Sequence, residues 1–230
     1  FQDRELRLAA YVVLALTGLF FLRHWLGALE VDAVGGARSA LAALWGSLFT
    51  ITSFITTTGF VSDYWGEARS WSGLPTPGLL LVGLALMGGG AATTAGGIKL
   101  IRVYALYKHG ARELSKLTHP HSVAAGGRLG RRIRREGAYI AWVFFMLFIL
   151  STAAIMLALS MTGLNFEEAF VLAAAALSTT GPLAAFGGEH PIVYALLSDP
   201  AKIVLIGAMI LGRLETLALI ALFNPGFWRI

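Results

Sequence analysis

The sequence predicts an all-α membrane protein built as two tandem repeats, each a spanning helix, a short re-entrant segment and a second spanning helix. Three observations carry that expectation. The 230 residues are 57% hydrophobic and 13% charged, with a mean hydropathy of +0.71, outside the range of a soluble domain. The apolar residues are grouped into long stretches rather than spread. Two tetrapeptides, Thr56-Thr57-Thr58-Gly59 and Ser178-Thr179-Thr180-Gly181, end short apolar segments at matching places in two otherwise dissimilar halves.

A helix needs about 20 apolar residues to cross roughly 30 Å of hydrocarbon. Residues 6–29, 76–107, 137–162 and 200–223 meet that requirement, the second with a Gly-rich break inside it. The chain opens Phe-Gln-Asp-Arg-Glu, without Met or a small-residue cleavage site, and further spans follow, which argues against a signal peptide for the first. A start at Phe1 points to a piece of something longer. The expected organisation is a first unit over residues 1–107, a basic connection over 108–136 and a second unit over 137–230.

Charge sets the expected orientation. Lys108, Arg112, Lys116, Arg128, Arg131, Arg132, Arg134 and Arg135 crowd the connection, which places it in the cytoplasm by the positive-inside rule, with both ends of the segment on the same side. The rival reading of Arg131–Arg135 as an RNA patch lacks interleaved aromatics, so no nucleic-acid partner is expected. Glu30, Asp32, Asp63, Glu67, Glu167, Glu168, Glu189 and Asp199 then fall outside, where an acidic vestibule concentrates cations; a merely solvated outer face is the alternative. Cysteine is absent, which excludes disulfides and Cys-based metal sites. The histidines are scattered and no nucleophile–base–acid set appears, so no enzymatic activity and no cofactor are expected.

Pairing Gly59 with Gly181 aligns the two units. The short segments at 39–55 and 166–177 have helical apolar patterning but too little length to cross. Asn165, followed by Glu167 and Glu168, supplies an N-cap and first-turn acids for the second. Re-entrant segments persist at membrane depth only when protein buries them or they line water. A Thr/Gly tip between a half-helix and a spanning helix is the layout of an ion-channel pore loop, with filters expected at 56–60 and 178–182.

The chemistry of a dehydrating cation fits these residues. A monovalent alkali cation needs oxygens in place of its hydration shell, and backbone carbonyls of Thr57, Thr58, Thr179 and Thr180 supply them without fixed charge. Glycine at 59 and 181 permits dihedrals that turn successive carbonyls to one axis. Hydroxyls of Thr57, Thr58, Thr179 and Thr180 add oxygens or hold the loop, with Thr56 and Ser178 the first residues of the two expected ion-binding filter segments. Each half-helix ends at its tip, so the negative end of its dipole faces the ion. One Thr-Thr-Gly is no motif, since a Thr-rich helix cap explains it; two in equivalent contexts are a signal.

The run Gly88-Gly89-Gly90-Ala91-Ala92-Thr93-Thr94-Ala95-Gly96-Gly97 interrupts the second span. It lacks the Gly-Lys-Ser/Thr ending and preceding strand of a nucleotide-binding loop. Inside a membrane it unwinds the helix, either as a movable gate below the tips or as a passive kink for close packing. Arg213 sits near the centre of the last span, where a charge costs at least about 2.5 kcal/mol and marks a functional position. Glu215 is two residues away and does not face it on a helix. Lys99 is placed to snorkel to the cytoplasmic face. A secondary transporter, with the glycine break and Arg213 binding a small anionic substrate, is the competing functional reading.

Three segments resemble the C-terminal half of a TrkH/KtrB-type potassium uptake protein of the Trk/Ktr/HKT superfamily. They are Ile55-Thr56-Thr57-Thr58-Gly59-Phe60, Ala91-Ala92-Thr93-Thr94-Ala95-Gly96-Gly97-Ile98-Lys99, and Gly212-Arg213-Leu214-Glu215 with the ending Asn224-Pro225-Gly226-Phe227-Trp228-Arg229. The resemblance implies four units around one pore, each similar to a potassium-channel pore unit and each with one filter glycine. Thr56–Gly59 and Ser178–Gly181 would be the third and fourth filter strands, with preceding units supplied by an N-terminal half. It further implies K+ as the transported ion, Gly88–Gly97 as the gating loop and Arg213 as the pore-facing arginine opposite it. A bacterial inner-membrane location amid lipid, a homodimer, and a cytoplasmic ring of nucleotide-binding TrkA/KtrA-like regulatory subunits against the basic segment are implied too. Thr179-Thr180-Gly181-Pro182-Leu183 departs from the family's usual Asn-x-Gly-Pro-Gly, so the second tip is where selectivity is expected to differ.

Overall fold

The computed structural model describes residues 4–28, 37–66, 77–90, 93, 95–118 and 128–214. Its helices are α1 (Arg4–Ala28), α2 (Ala37–Ile55), α3 (Pro77–Met87), α4 (Leu100–Thr118), α5 (Arg128–Ser160), α6 (Phe166–Leu177), α7 (Leu183–Phe186) and α8 (Asp199–Leu214), with a 3-10 turn at Tyr194–Leu196. Among the described residues there is no strand.

The packing repeats. In the first half α1 lies on α2 and α2 on α3; in the second, α5 lies on α6 and α6 on α8. The halves are joined by α3 against α6 and α7, and by α4 against α1 and α5. The short helix α6 sits at the centre of this arrangement, with Val171 through Ser178 all buried. Its four alanines, Ala173 to Ala176, allow neighbouring backbones to approach, which is how helices associate where lipid offers no hydrophobic drive. Gly212 of α8 exploits this: a Cβ there would lie 2.5 Å from the Leu177 carbonyl oxygen. α6 begins with a capping box in which Asn165 Oδ1 accepts the Glu168 N–H at 2.9 Å and Glu168 Oε2 accepts the Asn165 N–H at 3.2 Å, worth about 1 kcal/mol.

Among the described residues one helix is long and apolar enough to cross a membrane, Gly137–Ser160 within α5, with a mean hydropathy of 2.5. Only 17% of that window is buried, the opposite of a core helix, so its exposed Trp142, Ile149, Leu150 and Leu157 face outward as a lipid-contacting surface would. The other expected spans are shorter here for identifiable reasons. The apolar part of α1 is Leu6–Leu22, with Arg7 near its start, α3 stops at Met87 where the glycines begin, and the end of the expected fourth span, from residue 215, lies outside the described residues.

The basic connection differs from the loop expected over 108–136. Residues 108–118 continue α4, and residues 128–136 open α5. Strong helix formers (Leu, Ala, Lys, Arg, Glu) occupy most of 111–117 and carry the helix onward. The Arg102 guanidinium lies 3.6 Å from the centre of the Phe144 ring, which ties α4 to α5 by a cation–π contact.

Candidate functional site

The first tip grows from the last turn of α2. Thr57 N–H donates to the Phe54 carbonyl at 3.1 Å and Thr58 N–H to the Ser53 carbonyl at 2.9 Å, with Thr57 left-handed at φ 56. The second tip grows from α6 by the same bonds: Thr179 N–H to Ala176 at 3.2 Å and Thr180 N–H to Ala175 at 2.9 Å, with Thr179 also at φ 56. This paired pattern is a Schellman cap. Glycine ordinarily fills its left-handed position, and a β-branched residue there costs about 1–2 kcal/mol. Two threonines accept that strain at equivalent positions, which marks both caps as sites where side chain or backbone direction matters.

Beyond the caps the tips diverge. Gly59 is left-handed at φ 83, and the chain runs without regular structure through Ser62. Gly181 is not left-handed. Pro182 instead opens a helical turn in which Leu183 N–H donates to the Thr180 carbonyl at 3.0 Å and Ala184 N–H to the Gly181 carbonyl at 3.3 Å. Proline favours the first turn of a helix because its φ is preset and its missing N–H is not needed there. A signal in Pro182-Leu183-Ala184-Ala185 was therefore present for α7. The expectation that both glycines turn the chain alike gives way to this: only Gly59 uses a glycine-specific conformation.

The tips touch each other. Thr180 Oγ1 shares its one proton between the Ser178 carbonyl at 3.2 Å and the Thr57 carbonyl at 3.5 Å. A Cβ on Gly59 would come within 2.9 Å of Pro182 Cδ and 3.1 Å of Thr180 Cγ2. The hydroxyl of Thr56 bonds back to the Thr52 and Ser53 carbonyls at 2.9 and 3.0 Å and meets Thr58 Oγ1 at 2.9 Å, so these hydroxyls hold the loop. Ser178 is fully buried with no partner for Oγ. Among the described residues no donor is aimed at the carbonyls of Thr58, Gly59 or Thr179. Of the four expected carbonyl ligands, Thr57 and Thr180 already accept one bond each, leaving one lone pair apiece.

The Gly-rich segment packs against the base of both tips. Gly89 N–H donates to the Ile55 carbonyl at 2.9 Å, and a Cβ on Gly88 would lie 3.1 Å from Thr57 Cγ2. At the other end a Cβ on Gly96 would lie 2.5 Å from the Ser178 carbonyl oxygen. Gly97 is left-handed at φ 80, Thr93 closes a turn onto the Gly90 carbonyl at 2.7 Å, and Leu100 N–H donates to Gly89 at 3.2 Å. Ala91, Ala92 and Thr94 lie outside the described residues. Behind this segment is a cavity of about 30 Å³, room for one water, lined by Ala95 to Ile98, Arg102, Phe144, Phe148, Leu177, Leu211 and Gly212. Arg213 follows directly in the last described turn of α8, exposed, while Glu215 lies outside the described residues. Lys99 is buried, not extended toward an aqueous face.

One participant carried no signal in the sequence. Tyr194, thirteen residues beyond Gly181, donates its hydroxyl to the Gly181 carbonyl at 3.0 Å. Burial pushes that hydroxyl above its ordinary value of 10.0, so it stays a donor at physiological pH.

Fold and tips together define a class: an all-helical membrane protein with two half-helices whose capped ends meet above a glycine-rich break. Comparison with known proteins gives the family. A family described as "TrkH: Cation transport protein" matches residues 7–229, and the chain belongs to it. It is similar to the "Trk system potassium uptake protein TrkH" of Salmonella typhimurium strain LT2, 36% identical over 99% of this chain and 44% of that protein. The Escherichia coli K12 protein of the same name is 38% identical over 83% of this chain and 38% of its own length. The crystal structure of the potassium transporter TrkH from Vibrio parahaemolyticus superposes with a TM-score of 0.77 at 31% identity, covering 99% of this chain and 46% of that one. The chain spans less than half the length of these relatives.

Proposed function

We propose that this chain forms two of the pore units of a potassium-translocating protein, conducting K+ passively down its electrochemical gradient. The observation that carries the reading is the shared cap geometry of the two tips, with strained threonines at 57 and 179 and the tips in mutual contact. Open carbonyls at Thr58, Gly59 and Thr179, with the remaining lone pairs of Thr57 and Thr180, stand in for the ion's hydration shell. The negative ends of α2 and α6 favour a cation at the same place. Units supplied by chain outside this segment complete the ring of ligands.

In this reading residues 88–97 form the gate. The seating of Gly88, Gly89 and Gly96 against both tips supports it, because one segment bonded to Ile55 and packed on Ser178 would obstruct both units at once. Arg213, beside the cavity-lining Gly212, is the pore-facing charge of the gate. The basic helical segments 108–118 and 128–136 face the cytoplasm of a bacterial inner membrane. They are the proposed contact for nucleotide-binding regulatory subunits, in a protein that acts as a homodimer. The transporter of small anions draws no support from relatives named for potassium uptake.

Substituting Gly59 tests the reading. Gly59→Ala introduces a Cβ into left-handed backbone and against Pro182, about 1–2 kcal/mol of strain at the tip. Reversal potentials in mixed K+ and Na+ should show discrimination falling by about tenfold; an unchanged permeability ratio in a well-expressed protein contradicts the filter assignment.

A further inference from the structure

We infer that Tyr194 is a specificity-determining positioning residue, whose hydroxyl withholds the Gly181 carbonyl from the permeating ion. The inference rests on the filter reading above and deepens it. A carbonyl oxygen has two lone pairs. At Gly181 both are engaged, by Ala184 N–H at 3.3 Å and by Tyr194 Oη–H at 3.0 Å. Gly59 differs: among the described residues nothing donates to its carbonyl. The two units therefore present unequal oxygens at the level of their glycines, and the inequality is set partly by a side chain outside the tip.

The surroundings of Tyr194 are arranged to hold it there. Ile192 N–H donates to the Ala184 carbonyl at 3.0 Å, which pins the returning chain to α7, and Leu197 N–H closes the 3-10 turn onto the Tyr194 carbonyl at 3.3 Å. Val193, Ala195 and Leu196 of this turn are exposed, whereas the Tyr194 ring packs into the core formed by α5, α6 and α8. The ring is the anchor and the hydroxyl reaches the tip. Among the described residues a Cβ at Gly181 would meet no atom within 4 Å, and its backbone is not left-handed, so no side-chain packing or glycine-specific dihedral fixes this position. Removing the hydroxyl leaves the carbonyl with one long bond and a free lone pair, and a looser oxygen discriminates less between ions of different radius.

The test is Tyr194→Phe in the whole gene product, reconstituted in vesicles, with Gly59→Ala in parallel and Tyr194→Leu as the variant that also removes the ring. Tyr194→Phe should raise sodium permeability relative to potassium by about three- to tenfold, the equivalent of one net hydrogen bond, with thermal stability held near wild type. Tyr194→Leu should lower stability as well. If Tyr194→Phe keeps the wild-type ratio while Gly59→Ala changes it, the inference is overturned and the filter stands. If neither changes the ratio, the filter reading fails and takes this inference with it. Equal loss of both ion fluxes in Tyr194→Phe, with reduced stability, overturns the inference in favour of a structural role.

Discussion

The first and second tips start from one design and finish differently. Both leave a half-helix through the same pair of cap bonds, and both place a threonine at φ 56 where glycine is customary. Two residues on, the first turns through a left-handed Gly59 into irregular chain, while the second, three residues past Thr179, bends into α7 at Pro182. In the proposed filter, the common part is the part that would aim carbonyls at the ion. The variable part decides which carbonyls lack a donor among the described residues: Thr58 and Gly59 in the first, Thr179 in the second, with Gly181 occupied by Ala184 and Tyr194. A repeat can therefore keep the same cap while each copy arranges the backbone differently just beyond it. Glycine is needed sterically in the first tip, and the second is governed by hydrogen bonds.

The half-helices carry the same contrast. α6 is wrapped by α3, α5 and α8 and is buried along most of its length. α2 leaves Leu41, Trp45 and Phe49 exposed on one face. A re-entrant helix at membrane depth requires protein or water around it, so on the proposed pore reading this exposed face of α2 is the one that further pore units would cover.

The largest effect expected from breaking the comparison concerns the segment shared by both tips. Removing residues 91–94 while keeping Gly88, Gly89, Gly96 and Gly97 should raise potassium flux at least about tenfold, if the closed arrangement dominates as a two-state gate commonly does. Vesicle flux that stays level or falls removes the gate and leaves a kink. A smaller effect is expected at the bond between the tips. Thr180→Val keeps the shape and deletes the donor to Thr57 and Ser178, which should cost about threefold in potassium-over-sodium discrimination. The smallest is at the caps: Thr57→Gly and Thr179→Gly each release left-handed strain and add unfolded-state entropy of similar size, for a net change within about 1 kcal/mol. Equivalent caps give equal shifts in melting temperature, and a clear difference between the two breaks the equivalence.

The tips, the α6 cap and the interrupted second span were legible in the sequence because each is local. Thr-Thr-Gly repeats itself, Asn165 with Glu168 is a capping box at fixed spacing, and a run of small residues cannot hold a helix in place. Two things were not. The turn at Pro182 was hidden by the alignment itself, since pairing Gly181 with Gly59 made residue 182 look like filter rather than helix start. Tyr194 was invisible because its contact crosses thirteen residues of irregular chain, and an isolated tyrosine in an apolar stretch carries no spacing to read. The helical extension of the basic segment was obscured by its charge, which reports which side of the membrane it occupies and says little about its backbone.

The most direct test of the central claim, that two cap-built tips form one filter with unequal glycines, is the potassium-to-sodium permeability ratio of Gly59→Ala beside Gly181→Ala. At Gly59 the new Cβ meets left-handed backbone and Pro182; at Gly181 it meets open space with ordinary φ. The account predicts a drop of about tenfold for the first and a ratio within about twofold of wild type for the second. Equal effects in the two variants, or a larger one at Gly181, would contradict it.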